Sequence, residues 1–351
     1  MRLVSIVGAR PQFIKLAPIS QAAESRNIDH IVVHTGQHYD AAMSGSHFDA
    51  FALPEPQLNL NIGSGDHGEQ TGQALVAIEQ ALVDLAPDWV LVYGDTNSTL
   101  AAAVAAIKLR IPLAHLEAGL RSYNRDMPEE HNRVLTDHAS DLLLAPTETA
   151  VSNLEREGLI DRTVLVGDVM ADVCLATSRL VDEHPPQLEE IPAGPFVLAT
   201  IHRPYNTDDP KRLAKILDRL AGSTIPVVLP AHPRLIARAR EYGLALDHGA
   251  ISITEPLDYP QLISTTLHAR SVITDSGGLQ KEAYILGVPC TTVRSETEWV
   301  ETLEDGWNVL CFEDLTNLIE VALRSKPNTP RRNVFGNGHS AEAVVDLLLT
   351  R

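Results

Sequence analysis

Cysteine is nearly absent from this chain of 351 residues. Cys174, Cys290 and Cys311 are too few and too scattered for a disulfide framework or a zinc motif, and they fit a reducing cytoplasm. Long apolar runs are missing as well. Residues 3–7 are apolar, but Arg10 and Pro11 end the run far short of a signal-peptide core or a membrane span, so a soluble, cytoplasmic chain with no membrane partner is expected. Positive charge is in deficit. Lys plus Arg number 28 against 46 Asp plus Glu, and the net charge of −18 repels phosphate backbones and anionic surfaces, which argues against nucleic acid as a partner. Any phosphate held here must be held by a local cluster of cations working against the overall field.

Several catalytic signatures are also lacking. There is no H-E-x-x-H, no Walker A lysine motif and no G-x-S-x-G elbow. His115-Leu116-Glu117 has the H-x-E spacing of zinc deaminases, but no P-C-x-x-C follows, and the fourteen histidines show no ligand spacing, so no metal is expected. Residues 63–68 spell G-x-G-x-x-G before a helix. The stretch 58–62 ahead of it carries two asparagines and does not read as a buried strand, and Asp88 precedes a strand instead of ending one. A dinucleotide site is therefore rejected, and no cofactor is expected.

What the chain does have is alternation. Apolar strands at 3–7, 31–35, 89–93, 112–116 and 142–145 are separated by helical patterns at 11–25, 70–85, 99–108 and 133–139. That order predicts an open, mostly parallel α/β sheet. The stretch 182–195 holds four prolines in fourteen residues and reads as an exposed connection. After it the pattern restarts, with strands at 196–200, 227–229, 251–253, 272–273 and 290–293 and helices at 210–221, 234–241, 259–266 and 279–286. Two Rossmann-like domains follow, expected at 1–168 and 169–337, with a terminal helix in 338–351 packing back on the first. Facing each other, such domains place a cleft at the carboxyl ends of both sheets.

Those carboxyl ends carry the chemistry. Residues 271–283, S-V-I-T-D-S-G-G-L-Q-K-E-A, read as a strand, a tight turn and a helix start. Gly277 and Gly278 allow close approach, and the amides after Ser276 meet an oxyanion at the positive end of the helix. Glu282, a turn on, suits the hydroxyls of an attached sugar. Arg10 and Lys15 follow the first strand, Asp95 the strand 89–93, Glu117 the strand 112–116, and His202 and Arg203 the strand 196–200. Each has an ordinary alternative. Asp95 reads equally as the cap of the helix near Thr99, Glu129 and Glu130 as first-turn acids favoured by the helix dipole, and His232 as a satisfied core histidine. Arg10 reads as a salt-bridge partner, although Lys15 close by favours an anion site.

The motifs then form a set. G-A-R-P-Q-F-I-K at 8–15, T-G-Q-H-Y-D at 35–40, G-D-T-N-S-T-L-A at 94–101 and H-L-E-A-G-L-R-S at 115–122 resemble the non-hydrolysing UDP-N-acetylglucosamine 2-epimerase family. So do M-P-E-E-H-N-R at 127–133, V-G-D-V-M at 166–170, T-I-H-R at 200–203 and T-D-S-G-G-L-Q-K-E-A at 274–283, in family order from residue 1 to about 338.

The resemblance implies the glycosyltransferase-B type of fold, a homodimer, and a UDP-sugar substrate epimerised by elimination of UDP and its re-addition. It implies Arg10, Lys15 and His202 as the cationic cradle, with Arg203, Ser276, Gly277 and Gly278 around the diphosphate and Glu282 on the ribose. Asp95, Glu117 and Glu129 match the catalytic carboxylates. T-E-W-V-E at 297–301 and Pro204-Tyr205-Asn206 depart from the best-known members, and T-E-W-V-E, A-R-P-Q-F-I-K at 9–15 and N-T-D-D-P at 206–210 are similar to a sub-group acting on UDP-2,3-diacetamido-2,3-dideoxyglucuronic acid. Ser64-Gly65 stands where activated relatives carry arginine and glutamine; although Gln37 and His38 are kept, weak or absent activation by substrate is expected. A hydrolysing 2-epimerase, a glycosyltransferase of the same fold and a catalytically dead sensor are the other readings.

Overall fold

Alternate residues of the first strand face opposite ways, and each set puts apolar side chains into a core. Leu3 and Val7 pack with Leu91, Leu116 and Leu144, whereas Val4 and Ile6 pack with Val90, Val92 and Leu113. A strand buried on both faces needs helices above and below, the condition under which parallel sheets form. The computed structural model describes residues 1–36, 55–186 and 191–351, with the side chains of residues 10 and 11 outside that description. Gln37 and His38 also lie outside it, as does part of the proline-rich connection.

The chain divides into two units, Met1–Val173 with Val334–Arg351, and Cys174–Asn333. Among the described residues unit 1 holds seven strands: β1 (Arg2–Val7), β2 (Asp29–His34), β3 (Leu58–Asn59), β4 (Trp89–Tyr93), β5 (Leu113–Leu116), β6 (Leu142–Ala145) and β7 (Thr163–Leu165). They lie in the order β3-β2-β1-β4-β5-β6-β7, all parallel, with Val4 opposite Val90 and Leu91 opposite Ala114. Unit 2 holds β8 (Val197–Thr200), β9 (Val227–Pro230), β10 (Ile251–Thr254), β11 (Ser271–Thr274), β12 (Cys290–Thr292) and β13 (Asn308–Leu310), in the parallel order β10-β9-β8-β11-β12-β13. Each unit is thus a doubly wound sheet that reverses its winding once, between β1 and β4 and between β8 and β11.

Local chemistry sets the element ends. The helix predicted from residue 70 begins at His67 and runs to Leu85, where Ala86 turns left-handed at φ 44°. β11 is two residues longer than its apolar pair suggests, gaining Ser271 at its start and Thr274 at its end, where Thr274 Oγ1 bonds Thr200 Oγ1 at 2.6 Å across the ladder. The last helix, Ser340–Thr350, puts Ala341, Val344, Val345 and Leu348 into the same core as Leu16 and Ile19. Asp172 Oδ2 accepts from the amide of Ala341 at 2.7 Å, which satisfies a donor at the helix start. Among the described residues no helix is long and apolar enough to cross a membrane.

Leu348 is buried, so Leu348→Ala leaves a cavity and is expected to destabilise unit 1 by about 2–5 kcal/mol. Hydrogen exchange followed by mass spectrometry is expected to show faster exchange in 1–173 and 334–351. Equal loosening of 174–333 would contradict the division.

Candidate active site

Where a parallel sheet reverses its winding, neighbouring connections leave towards opposite faces and open a crevice beyond the strand ends. In unit 1 that point is floored by Gly8 and Gln12. A β carbon on Gly8 would collide with the hydroxyls of Thr35 and Ser98, themselves bonded at 2.8 Å. Gln12 Oε1 accepts from the amides of Gly8 and Ala9 at 2.7 and 2.9 Å, while its Nε2 donates to the Tyr93 carbonyl at 2.6 Å. One carboxamide therefore fastens the end of β1 to the end of β4. Its place within the first motif was visible in the sequence, but this role was not.

Arg10 heads the helix Arg10–Ser25, and its side chain lies outside the described residues. Lys15 of the same helix pairs through Nζ with Glu117 Oε2, and the two side chains are only 12% and 10% exposed. Glu117 has φ 73°, a left-handed conformation that costs a non-glycine residue about 1–3 kcal/mol. The amides of Glu117 and Ala118 both donate to the Leu144 carbonyl at 3.2 Å and hold that turn in place. Gly94 lets the backbone approach the pair, since a β carbon there would lie 3.3 Å from Glu117 Oε2 and 3.7 Å from Lys15 Nζ. Burial alone would lower the Lys15 pKa. The charge of Glu117, supported by Asp168 and Asp95, outweighs it and holds the ammonium above its ordinary value.

Asp95 is not the helix cap. Thr96 takes that part, accepting from Thr99 N through its hydroxyl at 3.3 Å. The Asp95 carboxylate instead meets Arg133, whose Nε donates to Oδ2 at 3.2 Å and whose Nη2 reaches the same oxygen. Glu129 and Glu130 open the helix Pro128–Ala139 and part company there. Glu130 is buried and accepts from Ser122 N, Ser122 Oγ and Tyr123 N, each at 2.9 Å. Burial would raise its pKa, but those donors and Arg133 hold it below the usual value. Glu129 is half-buried, and its carboxylate has no hydrogen bond or ion pair among the described residues. His115 faces the interior, with Nδ1 2.7 Å from Asp137 Oδ1 and Nε2 2.8 Å from the Gly94 carbonyl, so its H-x-E spacing is structural. Among the described residues no group of His, Cys, Asp and Glu is arranged to hold a metal.

In unit 2 the organising group is Asp275, which the sequence reading passed over. It accepts from His202 N at 3.1 Å, Arg203 N at 2.9 Å and Asn206 Nδ2 at 3.0 Å, and it lies 3.1 Å from His202 Nδ1. Burial pushes its pKa up; the bond from His202 and the other donors bring it below the ordinary carboxylate value. The only outward signal was an acid at a strand end beside two glycines. His232 is exposed, caps the helix Pro233–Tyr242 through Nδ1 at 3.1 Å, and lies 5.2 Å from the His202 ring. It is therefore a surface cap and not a core histidine.

Ser276 caps the helix Gly277–Leu286, its hydroxyl accepting from Leu279 N at 3.3 Å. The first amides of such a helix have no partner within it. Beside that end, Arg203 Nε is buried and has no hydrogen-bond partner among the described residues. A β carbon on Gly277 would lie 2.6 Å from Glu298 Oε1, so that carboxylate would have to shift, and Glu298 in turn pairs with Arg294 at 2.9 Å. Burial favours neutral Glu298, while Arg294 and then Arg203 keep its pKa below the usual value. Gly278 follows, and Glu282 is buried on the same helix. Each unit thus brings several of the residues expected from the sequence near its winding reversal. Lys15, Asp95 and Glu117 gather in unit 1, with Glu129 on the neighbouring helix, and His202, Arg203, Ser276 and Gly277 gather in unit 2.

Comparison with known proteins adds a second line. The pattern of a family described as UDP-N-acetylglucosamine 2-epimerase matches residues 20–349. A UDP-N-acetylglucosamine 2-epimerase homolog of Methanococcus maripaludis is 45% identical, over 99% of both chains. A UDP-2,3-diacetamido-2,3-dideoxy-D-glucuronate 2-epimerase of Pseudomonas aeruginosa is 43% identical, again over 99% of both. The crystal structure of Methanocaldococcus jannaschii UDP-GlcNAc 2-epimerase in complex with UDP-GlcNAc and UDP superposes with a TM-score of 0.87 at 41% identity, over 100% of each chain.

Two predictions follow from these charges. Lys15→Met strands the buried Glu117 carboxylate and is expected to cost about 3–5 kcal/mol in urea unfolding, part of which Glu117→Gln restores in the double variant. An unchanged midpoint would contradict a buried pair. The depressed pKa of Asp275 contributes stability that is fully present above its unfolded value of about 3.9 and is lost as pH falls through the lower folded value. Asp275→Asn should therefore flatten the acid limb of the melting-temperature profile; an identical acid limb would count against it.

Proposed function

The chain belongs to the UDP-N-acetylglucosamine 2-epimerase family, with its glycosyltransferase-B type of fold, and from that membership we propose that it is an isomerase interconverting UDP-N-acetylglucosamine and UDP-N-acetylmannosamine. The observation that carries the reading is the end-to-end likeness to a solved relative bound to UDP-GlcNAc and UDP. The C2 hydrogen of an N-acetylhexosamine is not beside a carbonyl, so no side chain of near-neutral pKa simply removes it. Departure of UDP changes that. As the C1–O bond breaks, its electron pair leaves with the diphosphate, and the charge developing at C1 acidifies C2–H. A carboxylate takes the proton, leaving a glycal and UDP. Return of a proton to the opposite face of C2 and re-addition of UDP at C1 give the 2-epimer.

In unit 2, the helix end at Ser276, Gly277 and Gly278 takes the diphosphate, with Arg203 and His202 beside it and Glu282 for the ribose. The unpartnered Arg203 Nε supports that role, because an anion would satisfy it. In unit 1, Arg10 and Lys15 supply positive charge, and Asp95, Glu117 and Glu129 are the carboxylates for proton transfer. The strained backbone of Glu117 and the unused carboxylate of Glu129 support those assignments. The likeness to the Pseudomonas enzyme and the T-E-W-V-E stretch favour UDP-2,3-diacetamido-2,3-dideoxyglucuronate as a second substrate reading. Three buried cysteines suit a cytoplasmic setting. A homodimer completes the proposal: Val76 and Val83, two helical turns apart on His67–Leu85, and Leu135 on Pro128–Ala139 are apolar side chains left exposed for a second copy to cover.

Proton NMR of the protein with UDP-N-acetylglucosamine in D2O is expected to show UDP-N-acetylmannosamine carrying deuterium at C2. Free sugar plus UDP would place the chain among hydrolysing epimerases, turnover of the diacetamido-uronate alone would select the second substrate, and silence with both would favour a transferase. Asp95→Asn and Glu117→Gln are each expected to slow the reaction about 10²–10⁴-fold; full activity in both would overturn the carboxylate roles. Val76→Asp with Val83→Asp should yield a monomer by light scattering, and a persistent dimer would exclude this face.

A further inference from the structure

Two consecutive residues of the helix Pro128–Ala139 hold one residue of another loop from two sides. Asn132 Nδ2 donates to the Asp95 carbonyl at 2.9 Å and to Asn97 Oδ1 at 3.2 Å, which fixes the backbone. Arg133 fixes the side chain, since its Nε and Nη2 both go to Asp95 Oδ2. The guanidinium does not float. Its Nη1 is 3.1 Å from Glu130 Oε2, and Glu130 is itself held by Ser122 and Tyr123. Arg133 is 8% exposed and Asp95 31%, so the anchor is internal while the carboxylate keeps an open side.

From this arrangement we infer that Arg133 is a positioning residue for Asp95: it fills Oδ2, sets the plane of the carboxylate, and leaves Oδ1 as the oxygen that meets the substrate. The terminal torsion of an aspartate is broad and roughly two-fold, so a lone carboxylate presents either oxygen over a range of planes. A guanidinium donates from a rigid plane, which selects one oxygen and one orientation. An ammonium supplies charge without the plane. No hydrogen bond to Asp95 Oδ1 exists among the described residues. The inference rests on the reading that Asp95 acts on a nucleotide sugar. It adds that the precision of that action is borrowed from a residue 38 positions away.

The test is steady-state kinetics of Arg133→Met and Arg133→Lys with UDP-N-acetylglucosamine, together with crystal structures of both. Met is expected to lower kcat about 10²-fold, the size of loss that a displacement of about 1 Å produces, with KM nearly unchanged and C2 exchange falling in step. Lys is expected to restore only part of kcat. Wild-type kcat in the Met variant, or equal losses in Met and Lys that merely track melting temperature, would overturn the inference. Because Met strands the buried Glu130 charge, Arg133→Met with Glu130→Gln keeps the test open if the single variant does not fold. Should the wild-type chain turn over neither nucleotide sugar, the functional reading fails by itself. The variant structures still decide positioning: a rotated Asp95 carboxylate supports it, and an unmoved one refutes it.

Discussion

A carboxylate taken out of water stays ionised only if its oxygens are filled by donors, and the candidate site is organised by how completely each is filled. Asp275 takes two backbone amides and one side-chain amide. Glu130 takes two amides, a hydroxyl and a guanidinium, and Asp137 takes His115, Arg121 and the amide of Gly119. Such groups are saturated and hold loops. Asp95, Glu117 and Glu129 differ, because among the described residues each keeps at least one carboxylate oxygen without a donor.

The same logic explains where strain and glycine are tolerated. Glu117 sits at φ 73° because the turn after β5 must carry a carboxylate back towards Lys15, and the paired bonds to Leu144 hold it there. Gly94 gives way to that pair, and Gly277 gives way to Glu298. Both glycines stand next to a winding reversal. Backbone approach and charge compensation are thus solved at the same two places, the ones a doubly wound sheet leaves open.

Much of this was legible in the sequence. Apolar runs separated by helical periods gave the two parallel sheets, because a strand buried on both faces has to be apolar on both. The strand ends then named Lys15, Asp95, Glu117, His202 and Ser276. What stayed hidden are partnerships across long separations. Asp275 and His202 are 73 positions apart, Arg133 and Asp95 38, and Gln12 and Tyr93 81, and no local period records such pairs. Capping was ambiguous for a related reason. Asp95 and Thr96 are both good caps, and only the guanidinium from a distant helix decides which of them is diverted. His232 was misjudged because proline neighbours look alike in a core and at a helix start.

The most direct measurement is the crystal structure of Asp95→Asn with UDP-N-acetylglucosamine bound, since the substitution is expected to slow turnover while keeping the side chain's shape. The account predicts C2 of the sugar within contact distance of the unfilled positions on residues 95, 117 or 129, with Glu130 still bonded to Ser122 and Tyr123. A sugar ring whose C2 faces away from all three, or lies against a carboxylate already saturated by the fold, would contradict it.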